Sequence, residues 1–184
     1  MSNKKFLKLG IWAALGTAIA LSVLSPAAIA AEQVVLKYNI FERSIPVEDL
    51  TTFAETGKLS RDLKAYMRMS KQDPEKVRKT LTDKVDVNVV TLDRVLNSVV
   101  GNLALEQLSQ YIYTSSRQAD KQAMRAALVL SASEDNNISI MEIAQNYPTQ
   151  DVYIDGNRLS EAYAQISLLR GGLDNILERI RGLL

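Results

Sequence analysis

The stretch from Lys121 to Tyr147 constrains this chain most. It reads as two helix-like blocks joined by a polar connection of Ser, Asp and Asn. The first block carries the apolar run Ala126-Ala127-Leu128-Val129-Leu130, which is expected to sit deep in a core. The second places Ile140, Met141, Ala144 and Tyr147 on one side of a helix. Two helices meeting at a tight polar turn need a helical body to bury them.

The remaining helical signals fit that body. Val47 to Thr56 follows Pro46, with Leu50, Phe53 and Ala54 on one side and Gly57 as a left-handed stop. Ser60 caps a helix whose apolar side is Leu63, Tyr66 and Met67. Asp73-Pro74-Glu75 starts another, with Val77 and Leu81 inward. Thr91 to Ser98 and Asn102 to Tyr113 have helical spacing through Leu92, Val95, Leu96, Leu105, Leu108 and Ile112. Ser115 and Gln118 match a capping box for the block that contains Met124.

Extended signals are few. Gln33 to Ile45 is apolar on both faces and suits a strand or an extended arm. Arg43 in this arm is expected to pair with an acid and pin the arm to the helices. Val85 to Val90 alternates, and a short strand and a buried connector fit it equally. Val152-Tyr153-Ile154, ahead of Asp155-Gly156, reads as a short strand ending in a turn. The expected fold class is therefore mainly α: a compact multi-helix domain with a small β element and a long C-terminal helix.

That C-terminal helix spans residues 158–184. Leu159, Ala162, Ile166, Leu169, Leu173, Ile176, Ile180 and Leu183 recur three and four apart, a heptad seam. Gly171-Gly172 lies off the seam, costs about 2 kcal/mol of helix propensity, and marks a kink or break. The Leu159–Leu183 seam packs on its own domain or pairs with a second copy, as a homo-oligomer.

The N-terminus has the layout of a secretory signal peptide. Lys4, Lys5 and Lys8 precede an apolar run from Leu9 to Leu24, then Pro26 and the small-x-small pattern Ala28-Ile29-Ala30. Residues 1–30 are the expected signal and 31–184 the single mature domain. An uncleaved anchor is the alternative, but the run falls short of the ~20 residues of a comfortable span. The expected location is the periplasm or cell exterior, with no stable membrane span after cleavage. The chain has formal charge +1, and its signal holds three Lys and no acid, so the mature part is +1 − 3 = −2. That balance offers no field for nucleic acid. With no Cys, packing alone must stabilise the domain.

The chemistry is sparse. The chain contains no His, which removes the imidazole a Ser or Cys nucleophile normally needs. It has no Gly-x-Ser-x-Gly elbow and no phosphate-cradling glycine loop. Zinc finds neither Cys nor His, and no pair of acids stands out for glycoside hydrolysis. The expectation is a protein that is not an enzyme and has no cofactor.

Calcium is the one ion the residues could take. Ser131, Ser133, Asp135, Asn137, Ser139 and Glu142 fall at the six ligand places of a twelve-residue calcium loop, with Asn136 and Ile138 at its turn and aliphatic places. Ser131 and Ser133 are the weak points, because hydroxyls do not neutralise the ion. The competing reading is a turn in which Ser and Asn cap the second helix.

A further set of residues resembles a known family. Phe41-Glu42-Arg43-Ser44-Ile45 is followed by Leu50-x-x-Phe53-Ala54-x-Thr56-Gly57, Leu92 to Ser98, Ala126-Ala127-Leu128, Tyr147-Pro148-Thr149 and Ile154-Asp155-Gly156. Together they resemble the helical domain of unknown function that follows the signal peptide in cyanobacterial secreted α/β-hydrolase-like proteins. The resemblance covers about residues 31–164. It implies an exported accessory or interaction domain, here without the hydrolase domain of the longer relatives. Its implied partner is a separate protein chain, such as an exported hydrolase.

Overall fold

The computed structural model describes residues 30–167. The signal-like segment before Ala30 lies outside them. So do Gly171-Gly172 and the seam from Leu169 to Leu183.

The chain opens with a hairpin. Strands β1 (Gln33–Tyr38) and β2 (Phe41–Pro46) pair antiparallel, with Tyr38 opposite Phe41. Asn39 makes the tight turn at φ 54°, a conformation its short polar side chain tolerates. Helices α1 (Val47–Thr56), α2 (Arg61–Ser70) and α3 (Pro74–Thr82) follow. Their ends obey the local signals: Gly57 closes α1 at φ 73°, the Ser60 hydroxyl accepts from the Leu63 amide, and Asp73 accepts from the Glu75 amide. Next come β3 (Val85–Asp86), α4 (Val89–Leu96), α5 (Val99–Leu108) and β4 (Ile112–Thr114). Then α6 (Asp120–Asp135), β5 (Asn137–Ile138), α7 (Ile140–Gln145) and β6 (Asp151–Asp155) complete the body. Helical backbone begins again over 159–167.

The mainly α expectation with a small β element needs correction. A four-stranded mixed sheet, ordered β2-β1-β6-β4, stands beside the helices, and β3 and β5 form a second small ladder. The first arm and Val152–Ile154 do meet, as the parallel pair β1–β6. But the arm is two strands, because Asn39 folds it back on itself. Ile112 is not the end of a helix: α5 stops at Leu108, and residues 112–114 pair antiparallel with β6. The four-residue step from Leu108 to Ile112 imitates a helical period by coincidence.

Two local expectations also fail. Helix α6 starts at Asp120 with no side-chain cap, so Ser115 and Gln118 form no capping box. Instead the Asp120 carboxylate accepts from the Thr114 amide at 2.8 Å and hydroxyl at 2.6 Å, tying β4 to α6. Arg43 is exposed on the edge strand β2 and pairs with no acid among the described residues.

One face of the sheet enters the core through Val34, Leu36, Val152, Ile154 and Ile112. The other face carries the row Val35–Tyr153–Tyr113 across three strands. Tyr113 and Tyr153 stack at 5.6 Å, with the Arg117 guanidinium over the first ring and the Lys37 ammonium over the second. Within α6, Ala127 and Leu128 are fully buried, but Leu130 is 45% exposed, since a helix turns part of any continuous apolar run outward. Ile140, Met141, Ala144 and Tyr147 are all buried. Among the described residues, no helix is long and apolar enough to cross a membrane.

Candidate functional site

The stretch from Ser131 to Glu142 folds as a helix end, a short strand and a helix start. Ser131, Ser133 and Asp135 all belong to α6. Ser131 is buried and accepts from the Asn146 amide at 3.2 Å, while the Ser133 hydroxyl donates to the Leu130 carbonyl at 2.7 Å. Asn136 takes the left-handed conformation that closes the helix, at φ 57°. Asn137 pairs with Asp86 in the β3–β5 ladder. Ser139 and Glu142 form a capping box: the Glu142 amide donates to the Ser139 hydroxyl, and the Ser139 amide donates to the Glu142 carboxylate at 2.8 Å.

Two of the six ligand candidates, Asp135 and Glu142, converge on a lysine, while the Ser139 hydroxyl donates to the Glu142 carboxylate at 3.0 Å and the Asn137 amide to the Asp135 carboxylate at 2.9 Å. The Lys84 ammonium lies 2.6 Å from Asp135 Oδ2 and 3.1 Å from Glu142 Oε1. Those hydrogen bonds, Asp135 first, raise the Lys84 pKa, and Lys84 in turn lowers that of Asp135. The structure does not bring Ser131 or Ser133 to this point. Among the described residues, no group of three or more His, Cys, Asp or Glu could hold a metal ion. Lys84 lies 51 residues before Asp135, so no local motif could have revealed it.

A second feature is a cleft of about 420 Å³ between the sheet and the helices. Val34, Leu36 and Ile154 supply its sheet wall, Leu63 and Met67 come from α2, and Val77 and Leu81 from α3. Met141 and Ala144 of α7 line another side, with Leu159 and Tyr163 from the helical segment after β6. Polar groups gather among the lining residues: Gln72, Lys76, Thr80, Asn157, Ser160 and the ion pair of Lys79 with Asp83 at 2.7 Å. This position follows from amphipathic patterning. The inner faces of α2 and α3 turn Leu63, Met67 and Leu81 toward the sheet, leaving lysines on the outer turns.

The Tyr66 ring also lines the cleft. Its hydroxyl is closed off from solvent and has no hydrogen-bond partner among the described residues. It stands against Gly156, where a Cβ atom would come within 2.8 Å of the hydroxyl oxygen. The Gly156 amide donates to the Lys37 carbonyl at 2.7 Å. Burial, helped by the negative field of Tyr38 and Asp155, pushes the Tyr66 phenol up to about 12. Sequence periodicity placed Tyr66 on an inner face but carried no sign of a cleft, which needs the sheet, α2, α3 and α7 together.

No curated protein and no solved structure matches this chain. Residues 30–155 match a protein family described as alpha/beta hydrolase of unknown function (DUF1400). The match runs from just before β1 to the last residue of β6 and takes in more than half of the chain. This protein therefore belongs to that alpha/beta hydrolase-like family of unknown function.

Proposed function

We propose that this protein is an exported, non-catalytic accessory domain that binds rather than cleaves, and that it works beside a separate hydrolase chain. The observation that carries the reading is the lack of any His in 184 residues, in a chain that also lacks a nucleophile elbow. The cleft adds to it. Its buried phenol, held up to about 12, stays protonated at neutral pH and can serve neither as a base nor as a ready acid. Export is supported by Lys4, Lys5 and Lys8 ahead of the apolar run and Ala28-Ile29-Ala30. A partner surface is supported by Val99, Val100 and Leu103, large apolar side chains exposed on α5.

Two measurements test this. Purified protein is expected to hydrolyse short- and long-chain nitrophenyl esters at the buffer rate. Turnover that disappears on replacing one Ser or acid overturns the non-catalytic reading. N-terminal sequencing of protein recovered from cells is expected to begin at Ala31, and a sequence beginning at Met1 overturns export with cleavage.

A further inference from the structure

We propose that the cleft between the sheet, α2, α3 and α7 binds a single-chain amphiphile with a carboxylate head: an unbranched acyl tail inside and the anion at the Lys76 ammonium. The inference rests on the binding-not-cleaving reading and names the ligand class for that site.

Shape and lining come first. A volume of about 420 Å³ lies within the range of ~300–1,000 Å³ typical of small-molecule sites. The inner walls are Leu, Val, Ile, Met and Ala side chains, which give an acyl chain dispersion contacts and no polar group to desolvate. The shielded Tyr66 hydroxyl presents no competing polar contact at the wall, only its ring. Polar groups of a ligand laid against these apolar side chains would go unpaired.

Charge then selects the head. The cleft residues hold two ammoniums, Lys76 and Lys79, against one carboxylate, Asp83, a balance of +1. Lys79 is already engaged by Asp83. Lys76 is exposed, and its ammonium has no ion-pair partner among the described residues, which leaves it to meet an incoming anion. Gln72, Thr80, Asn157 and Ser160 add neutral hydrogen-bonding groups to the same lining. An ammonium beside an apolar cleft favours a monoanion with a tail over a neutral alcohol, and strongly over a cationic amphiphile.

The experiment is calorimetric titration of the full chain with dodecanoate, dodecanol and dodecyltrimethylammonium, each below its micelle concentration. Dodecanoate is expected to bind at one site, with the alcohol weaker and the cation weakest. Lys76→Glu is expected to weaken dodecanoate about five- to tenfold and leave dodecanol unchanged. Val77→Trp, which places an indole in the wall, is expected to abolish binding of all three. If that variant fails to fold by circular dichroism, the Lys76→Glu comparison decides alone. Equal affinity for the three amphiphiles, or no dodecanoate binding by the folded protein, overturns the proposal.

Dodecanoyl nitrophenyl ester separates the two readings. Its hydrolysis with dodecanoate binding intact would sink the non-catalytic reading and leave the site standing. Absence of both hydrolysis and binding would sink the site and leave the non-catalytic reading.

Discussion

The ammonium of Lys84 lies 2.6 Å from the carboxylate of Asp135, joining the end of α3's connection to the end of α6. Both side chains are more than two-fifths exposed, so the pair belongs with surface ion pairs, at roughly 0.2–1 kcal/mol. Lys84→Met is expected to lower stability by no more than about 1 kcal/mol, with the difference shrinking in molar salt. Urea unfolding at two salt concentrations checks this. Because the ammonium stands between Asp135 and Glu142, calcium titration of the unaltered protein is expected to give no heat at millimolar calcium. A saturable heat would restore the ion to this loop.

The same pair fixes a pH dependence. Lys84 lowers the folded-state pKa of Asp135, so the stabilisation is present above the ordinary carboxylate value and is lost as pH falls through the depressed one. The Lys84 pKa is raised, so its contribution is full at neutral pH and fades only at strongly alkaline pH. The stability gap between the unaltered protein and Lys84→Met is expected to be flat from pH 6 to 9 and to close in acid. Parallel urea titrations across pH check it, and a gap that persists below the acid transition would refute the assignment.

Gly101 tolerates no side chain. A Cβ there would lie 2.0 Å from the Val95 carbonyl oxygen and 2.6 Å from the Leu96 Cα, both backbone atoms of α4. Alanine normally improves a helix by about 1 kcal/mol over glycine. Here the clash must prevail, since α4 would have to move off α5. Gly101→Ala is expected to destabilise the protein by about 3 kcal/mol, seen as a lower urea midpoint. A neutral result would mean that the two helices do not meet in this way.

Tyr66 and Tyr147 each bury a hydroxyl without a hydrogen-bond partner among the described residues, and Tyr147 is fully enclosed. Such a group carries a desolvation penalty that phenylalanine lacks. Tyr66→Phe and Tyr147→Phe are each expected to raise stability by about 1 kcal/mol, read from thermal or urea unfolding. A loss instead would reveal a partner for that hydroxyl, such as a bound water or ligand.

What the sequence displayed was local chemistry. Ser60, Asp73-Pro74 and Gly57 mark helix ends because their caps act within four residues, and all are found there. The inner faces of α1, α2 and α4 followed from periodicity alone. Strands β2 and β4 escaped for separate reasons. The turn at Asn39-Ile40 lacks the glycine that usually advertises a hairpin, and β4 is only three residues long beside a helix of matching period. The site was less legible still. Asp135 and Glu142 do converge, but their partner Lys84 comes from a distant segment. The cleft is a property of the assembled sheet and helices, which no single window of sequence contains.

Pairing of β1 with β6 has a consequence for synthesis. Beside that ladder Gln150 donates to Glu32 across 118 residues, so the first strand made must wait for nearly the last. Loop closure over that distance makes the sheet slow to nucleate. Emerging from the ribosome, the amino-terminal hairpin meets no strand partner until residue 151 has followed it. A polypeptide wired this way leaves that edge of β1 unpaired through most of its synthesis, and the sheet closes only once β6 has been made.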